Sequence, residues 1–183
     1  MKISVYSEKG GAGKTTFAVA MAYALGWPVL DLDPKKTSSS HLVGRDPASL
    51  AQENLIVDFP AGMDLSFAEH LATSELIVMP VRPTAYDFDG IGPNLHFIRA
   101  HARPTCRVAL FGNAFNSSPK STDMTYFLKM TAAYGLPLIG RFTHRTAYAR
   151  AASFKVPYGE MDKVAAAEVA DLATAVKGLL GIK

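Results

Sequence analysis

One cysteine, Cys106, and one tryptophan occur in 183 residues. A lone thiol excludes an internal disulfide framework, and with no activating partner evident it reads as a small core or surface residue rather than a nucleophile. No run of 18 apolar residues occurs, as a membrane-spanning helix would need. No signal peptide is legible, because the first residues enter an apolar strand pattern directly, so the expected compartment is the cytoplasm. The five histidines, His41, His70, His96, His101 and His144, lack metal-ligand spacing. Internal repeats and linkers of biased composition are also missing. What remains is 49% hydrophobic, enough to bury a substantial core, and it is read as one domain over 1–183.

Against that plain background stands Lys9-Gly10-Gly11-Ala12-Gly13-Lys14-Thr15-Thr16. The usual phosphate-loop pattern has a glycine five positions before its Gly-Lys-Thr, and Glu8 occupies that place. A shifted glycine pair and an additional lysine, Lys9, appear instead. Backbone N–H groups from Gly10 to Thr16 would form a nest for phosphates, aided by the positive end of the following helix. Lys14 would bridge β- and γ-oxygens, the Thr15 hydroxyl would ligate Mg²⁺, and Thr16 would donate toward the α-phosphate. No guanine-reading Asn-Lys-x-Asp occurs.

Short apolar runs alternate with helical patterns along the chain, which predicts an α/β fold: a mostly parallel twisted sheet with helices on both faces. Strands are expected at 2–7, 27–32, 54–58, 75–81, 107–112 and 136–141. Helices are expected near 14–25, 63–73, 88–101, 121–134, 145–153 and 161–180, with Gly26, Gly135 and Pro157 as stops or turns. Asp33, just past the second strand, lies at the edge where doubly wound sheets bind ligands. Asp58 ends the third strand and would hold a Mg²⁺-bound water. Asp31 shares a strand face with Asp33 and reads as a partner to it or a buried acceptor.

The loop, the run Val29-Leu30-Asp31-Leu32-Asp33-Pro34 and the run Leu55-Ile56-Val57-Asp58-Phe59-Pro60-Ala61-Gly62 together resemble the ParA/MinD family of deviant-Walker ATPases. Val78-Met79-Pro80-Val81-Arg82-Pro83 and Asp87-Phe88 are similar to its fourth strand and following loop. Residues 107–158 share only its strand-helix rhythm and an Arg-rich turn. The resemblance implies a single-domain P-loop NTPase with ATP and Mg²⁺ as cofactors. It implies that Asp33 orients the attacking water and that Lys9 reaches across a twofold interface to the partner's nucleotide, making nucleotide state readable as dimerisation. It also implies adenine contacts from Asn113 and from the turn around Arg141–Thr146. Three departures stand out: Asp33 and Asp58 are unusually close in sequence, Lys35 replaces a common glutamine, and Ser7-Glu8 precedes the extra lysine. A trimmed sheet edge is expected, as is a mobile loop at 35–40. The N-terminal helix-turn-helix of larger members is absent, so autoregulation by that route is not expected.

Charge is unevenly distributed. Between Arg99 and Lys155 there are nine basic residues and one acid, Asp123, giving +8; the remaining ten basic and fifteen acidic residues give −5, which sums to the net +3. This asymmetry points to a polyanion partner, and non-specific DNA is the natural candidate. Arg141, Arg145 and Arg150 are the preferred contacts, with Lys120 and Lys155 behind them. The C-terminal stripe Val169, Leu172, Ala173, Val176, Leu179 and Leu180 has few basic neighbours. It reads as a helix packed on the sheet rather than one lying on a membrane.

The combined expectation is a partition-type ATPase. ATP would join two subunits, the dimer would bind non-specific DNA on the nucleoid, and an adaptor resembling ParB would stimulate slow hydrolysis. Two rivals share the chemistry: a positioning ATPase for non-DNA cargo and a non-hydrolysing nucleotide-binding scaffold. A small-substrate ligase resembling dethiobiotin synthetase is disfavoured by Lys9.

Overall fold

Strands that alternate buried side chains to both faces need cover on both faces, and this chain supplies it. The computed structural model describes residues 1–33, 53–118 and 120–182. Its strands are β1 (Lys2–Val5), β2 (Val29–Asp31), β3 (Leu55–Asp58), β4 (Leu76–Val81), β5 (Arg107–Phe115) and β6 (Leu138–Thr143). They form one six-stranded sheet in the order β2-β3-β1-β4-β5-β6, every pairing parallel. Among the described residues the three-residue β2 is its edge on one side; most of the interval on which a trimmed edge was expected lies outside them.

Among the described residues the helices are α1 (Lys14–Leu25), α2 (Ala68–Ala72), α3 (Ala85–Asp89), α4 (Ile91–His101), α5 (Asp123–Thr131), α6 (Thr146–Phe154), α7 (Tyr158–Met161) and α8 (Lys163–Leu180). One face of the sheet, carrying Ile3, Val5, Val29, Ile56, Val78 and Phe111, packs against Phe17 and Met21 of α1 and Leu172 and Val176 of α8. The other, carrying Leu55, Val57, Ile77, Met79 and Leu110, packs against Ile91, Leu95 and Ile98 of α4 and Phe127 of α5. The sheet period of two sorts neighbours such as Leu55 and Ile56 into opposite cores. The C-terminal helix is therefore a packed element, as its stripe predicted.

The six strands follow the sequence reading, the short helix α7 (Tyr158–Met161) was not expected, and other boundaries differ for identifiable reasons. The expected helix 88–101 is two helices that meet at Gly90. Thr84 caps the first by accepting from the Asp87 N–H, and Pro93 is accommodated in the first turn of the second, where no intrahelical donor is needed. β5 runs past 112 to Phe115 through an irregular stretch in which Ala114 has φ 58°. The expected helix 63–73 starts as a 3₁₀ turn at Leu65–Phe67 capped by Asp64. The polar stretch 35–40, with Lys35, lies outside the described residues.

Candidate functional site

β1 and β4 are the neighbours at which the order of connections reverses, and the loop after β1 leaves the sheet there. Gly13 forms the N-terminal boundary of α1 at φ 113°. A Cβ at that position would lie 2.2 Å from Asn113 Nδ2, so both backbone angle and close approach require glycine. Asn113 holds the loop from β5, donating from Nδ2 to the Ala12 carbonyl at 3.0 Å.

The two lysines of the loop have different engagements. Lys14 is 7% exposed, and its Nζ donates to the carbonyls of Ser7 at 2.9 Å and Lys9 at 2.8 Å. Burial lowers its pKa from the ordinary lysine value, against the opposing pull of Asp58 and Asp33. The sheet thus brings both sequence-predicted acids into electrostatic range of the phosphate-loop lysine. Lys9 turns away from the loop: its Nζ lies 3.0 Å from Asp87 Oδ2 and 5.9 Å from the Tyr86 ring centre. Asp87 also pairs with Arg82 at 3.3 Å and accepts from the Thr84 hydroxyl. Burial alone would raise the Asp87 pKa, but hydrogen bonds from Thr84, Lys9 and Arg82 outweigh it and hold the carboxyl below its usual value.

The acids at the sheet edge are adjacent in register. Asp31 of β2 pairs with Asp58 of β3, and both are buried. Asp31 Oδ1 accepts from the Asp33 N–H at 2.9 Å, so Asp31 positions the backbone on which Asp33 sits. Gly62, at φ 115°, donates its N–H to the Glu8 carbonyl at 2.8 Å, closing the turn after β3 onto the front of the loop.

Beyond Thr15 and Thr16 a cavity of about 290 Å³ opens, bordered by Asn113, Thr143, His144, Arg145 and Tyr148. Two of the expected base-side regions, Asn113 and the turn after β6, therefore meet here. Arg141 does not line it; its guanidinium lies 5.9 Å from the Phe115 ring centre. Sequence reading missed Tyr148 and Glu168. Glu168 of α8 accepts from the Thr143 N–H at 3.1 Å, the Thr143 hydroxyl at 2.8 Å and the Tyr148 hydroxyl. Burial and Glu168 together push the Tyr148 pKa well above the ordinary tyrosine value. The only early signal was a tyrosine in the first turn of the helix after the Arg-rich turn.

The basic segment is divided by the fold. α4 runs back along the sheet, so Arg99, Arg103 and Arg107 gather at the end of the strands opposite the loop, where Arg103 pairs with Glu75. Arg145 donates to Asp162 at 3.2 Å and to Thr143 at 2.8 Å. Lys120, Arg141, Arg150 and Lys155 are exposed. The +8 segment is thus not one continuous surface, and Arg145 is half-buried and engaged within the chain.

No family model and no curated protein matches the chain by sequence. Solved structures do match by shape. A single-substitution variant of Cyanothece McdA in complex with ATP aligns with TM-score 0.76 at 14% identity, covering 100% of this chain and 96% of that one. The septum site-determining protein MinD of Pyrococcus horikoshii OT3, complexed with Mg-ADP, aligns with TM-score 0.77 at 16% identity, over 98% and 97%. A putative plasmid partition protein of Borrelia burgdorferi B31, bound to AMPPNP, aligns with TM-score 0.76 at 13% identity, over 97% and 98%. The whole described chain, from the loop with two lysines to the C-terminal helix on the sheet, has the fold of the ParA/MinD-type deviant-Walker ATPases.

Proposed function

We propose that this protein is an ATPase in which ATP and Mg²⁺ join two copies of the chain, and that the dimer binds non-specific DNA and positions or segregates DNA cargo with an adaptor protein. The observation that carries the reading is the separation of the two lysines. Lys14 is committed to the loop, whereas Lys9 stands at its front and is held by a side-chain ion pair that can exchange.

The residues fit the nucleotide and its metal. Gly13, where a Cβ would strike Asn113, lets the loop pack closely on β5, and the N–H groups from Gly10 to Thr16 stand at the N-terminus of α1, where phosphates are attracted. Thr15 and Asp58 would hold Mg²⁺, which supplies positive charge against the β- and γ-phosphate oxygens. On nucleotide binding, Lys14 exchanges its two carbonyl acceptors for phosphate oxygens. Thr16 donates toward the α-phosphate. The cavity beside Asn113, His144 and Tyr148 receives the base, taken to be adenine. Lys9 leaves Asp87 and reaches the nucleotide of the second copy. Asp33, its backbone fixed by Asp31, orients water for in-line attack on the γ-phosphate. Slow hydrolysis, stimulated by the adaptor, then returns the dimer to monomers.

Arg150, Lys155, Arg141 and Lys120 are the proposed phosphate-backbone contacts, and Arg145, paired with Asp162 and Thr143, holds the turn between them. Dimerisation would double this surface and raise affinity through avidity. The protein would then reside on the nucleoid. Similarity to the septum site-determining protein MinD and the division of the basic residues favour one second reading: the same switch positioning a cargo other than DNA.

Light scattering of the purified protein with ADP, ATP, and ATP plus random-sequence DNA, at low and moderate salt, decides between them. An ATP-dependent dimer that Lys9→Ala cannot form, and that binds DNA in a salt-sensitive way, supports the reading. A protein that stays monomeric with ATP overturns the switch, and a dimer that ignores DNA moves the assignment to the non-DNA cargo.

A further inference from the structure

A buried asparagine outside the recognised motifs ties the front of the phosphate loop to the helices that hold Lys9. Asn94 is the fourth residue of α4 and is 5% exposed. Asparagine is a weak helix former in such a place, so its retention there calls for a specific partner. Both halves of its amide are used. Oδ1 accepts from the Glu8 N–H at 2.9 Å, and Nδ2 donates to the Gly90 carbonyl at 2.7 Å. Gly90 is the junction of α3 and α4. The same Glu8 residue accepts at its carbonyl from Gly62 N–H at 2.8 Å. Glu8 is thereby clamped between α4 and the turn that follows Asp58, directly before Lys9.

Lys9 is consequently held by one helical unit in two ways. Its side chain reaches Asp87 of α3, and the residue before it is fixed by Asn94 of α4. Between them lies a cavity of about 150 Å³, bordered by Lys9, Asp87 and Asn94 with Met79, Val81 and Ile91 behind. This is room for a side chain to change direction without displacement of the loop. We propose that Asn94 is the positioning residue for Lys9: it locks the loop front to the α3–α4 junction, so that Lys9 moves between Asp87 and an outward position as a side chain alone. The functional part of this inference rests on the reading that Lys9 engages a second copy. An ionised aspartate can accept from Glu8 but cannot donate to Gly90, and leucine can do neither.

The test measures the acetylation rate of each lysine by mass spectrometry in the nucleotide-free protein, alongside ATP affinity of the monomer and ATP-dependent dimerisation. The variants are Asn94→Leu and Asn94→Asp. Ser4→Ala is the control, because it removes a buried Ser4–Ser74 hydroxyl pair away from the loop. Asn94→Leu is expected to raise Lys9 reactivity about fivefold, the factor that corresponds to loss of one ordinary hydrogen bond's restraint. Dimerisation is expected to weaken about tenfold while monomer ATP affinity changes by less than about threefold. Asn94→Asp, which keeps the Glu8 acceptor, is expected to fall between Asn94→Leu and wild type, and it carries the test alone if Asn94→Leu does not fold. Equal Lys9 reactivity in the Asn94 variants and in Ser4→Ala would overturn the proposal. If Lys9 reactivity responds but wild type never dimerises with ATP, Asn94 positions Lys9 and the two-copy reading is what fails.

Discussion

The Lys9 ammonium lies 3.0 Å from the Asp87 carboxylate, which also takes Arg82 at 3.3 Å and the Thr84 hydroxyl. Any outward reach of Lys9 must break the first of these contacts, while Arg82 and Thr84 keep the buried carboxylate paired. The cost of the switch is therefore that of one partly exposed ion pair, of order 1 kcal/mol or less, rather than that of stranding a buried charge.

Asp87→Asn should accordingly free Lys9 and tighten ATP-dependent dimerisation by about fivefold, at a cost of about 1–3 kcal/mol in folding stability. The Asp87 pKa is depressed in the folded state, so its stabilising contribution is fully present above about pH 4, the ordinary carboxylate value. It is lost as pH falls through the lower folded value. Urea midpoints at pH 7 and pH 3 should show wild type exceeding Asp87→Asn at the first pH and approaching it at the second. An unchanged or weaker dimer would show that the pair does not restrain Lys9.

Gly13→Ala should damage the loop by two separable routes. The φ of 113° strains any L side chain by about 1–3 kcal/mol, and the new Cβ meets Asn113 at 2.2 Å. Adding Asn113→Ala should recover about 1 kcal/mol through relief of the contact, with the backbone strain left in place. Strict additivity in a double-mutant cycle of thermal unfolding would refute the contact.

Asp33 and Asp58 should separate turnover from metal-dependent binding. Asp33→Ala is expected to retain ATP binding and the dimer while turnover falls about a hundredfold. Asp58→Asn is expected to bring nucleotide affinity in Mg²⁺ down to the Mg²⁺-free level, measured by titration calorimetry. Loss of nucleotide binding in Asp33→Ala would remove the water-orienting assignment.

On the basic surface, Arg150→Ala combined with Lys155→Ala should lower the slope of log affinity for random-sequence DNA against log salt by about 2, one for each contact. Arg145→Ala should instead lower the melting temperature, since its guanidinium pairs with Asp162 and Thr143, and leave that slope nearly unchanged. Fluorescence anisotropy across a salt series checks both.

The six strands were legible because each is a short apolar run bounded by turn residues, and burial on both faces of a parallel sheet demands such runs. Gly26 and Gly135 both end helical segments in left-handed geometry, as read. The break at Gly90 was not legible: residues 88–101 carry one continuous helical pattern, and what divides them is the Thr84 cap together with the seat of Asp87 under Lys9 and Arg82. Nor was the extension of β5 to Phe115, because Gly112-Asn113-Ala114 has turn composition and is kept in the strand, with Ala114 left-handed, by pairing with β6 and the Asn113 bond to the loop.

The loop, its two lysines and the acids at the ends of β2 and β3 were set by the sequence alone, since phosphate nests and strand-terminal carboxylates depend on local spacing and backbone freedom. Tertiary structure decided which partners those groups take. Asp87 lies 78 positions beyond Lys9, and Asn94 lies 86 beyond Glu8; no local pattern couples residues so far apart. Glu168 reaches Thr143 and Tyr148 only because α8 returns across the sheet. The nine basic residues, contiguous in count, are parted by parallel strands and returning helices that send successive segments to opposite ends of the sheet.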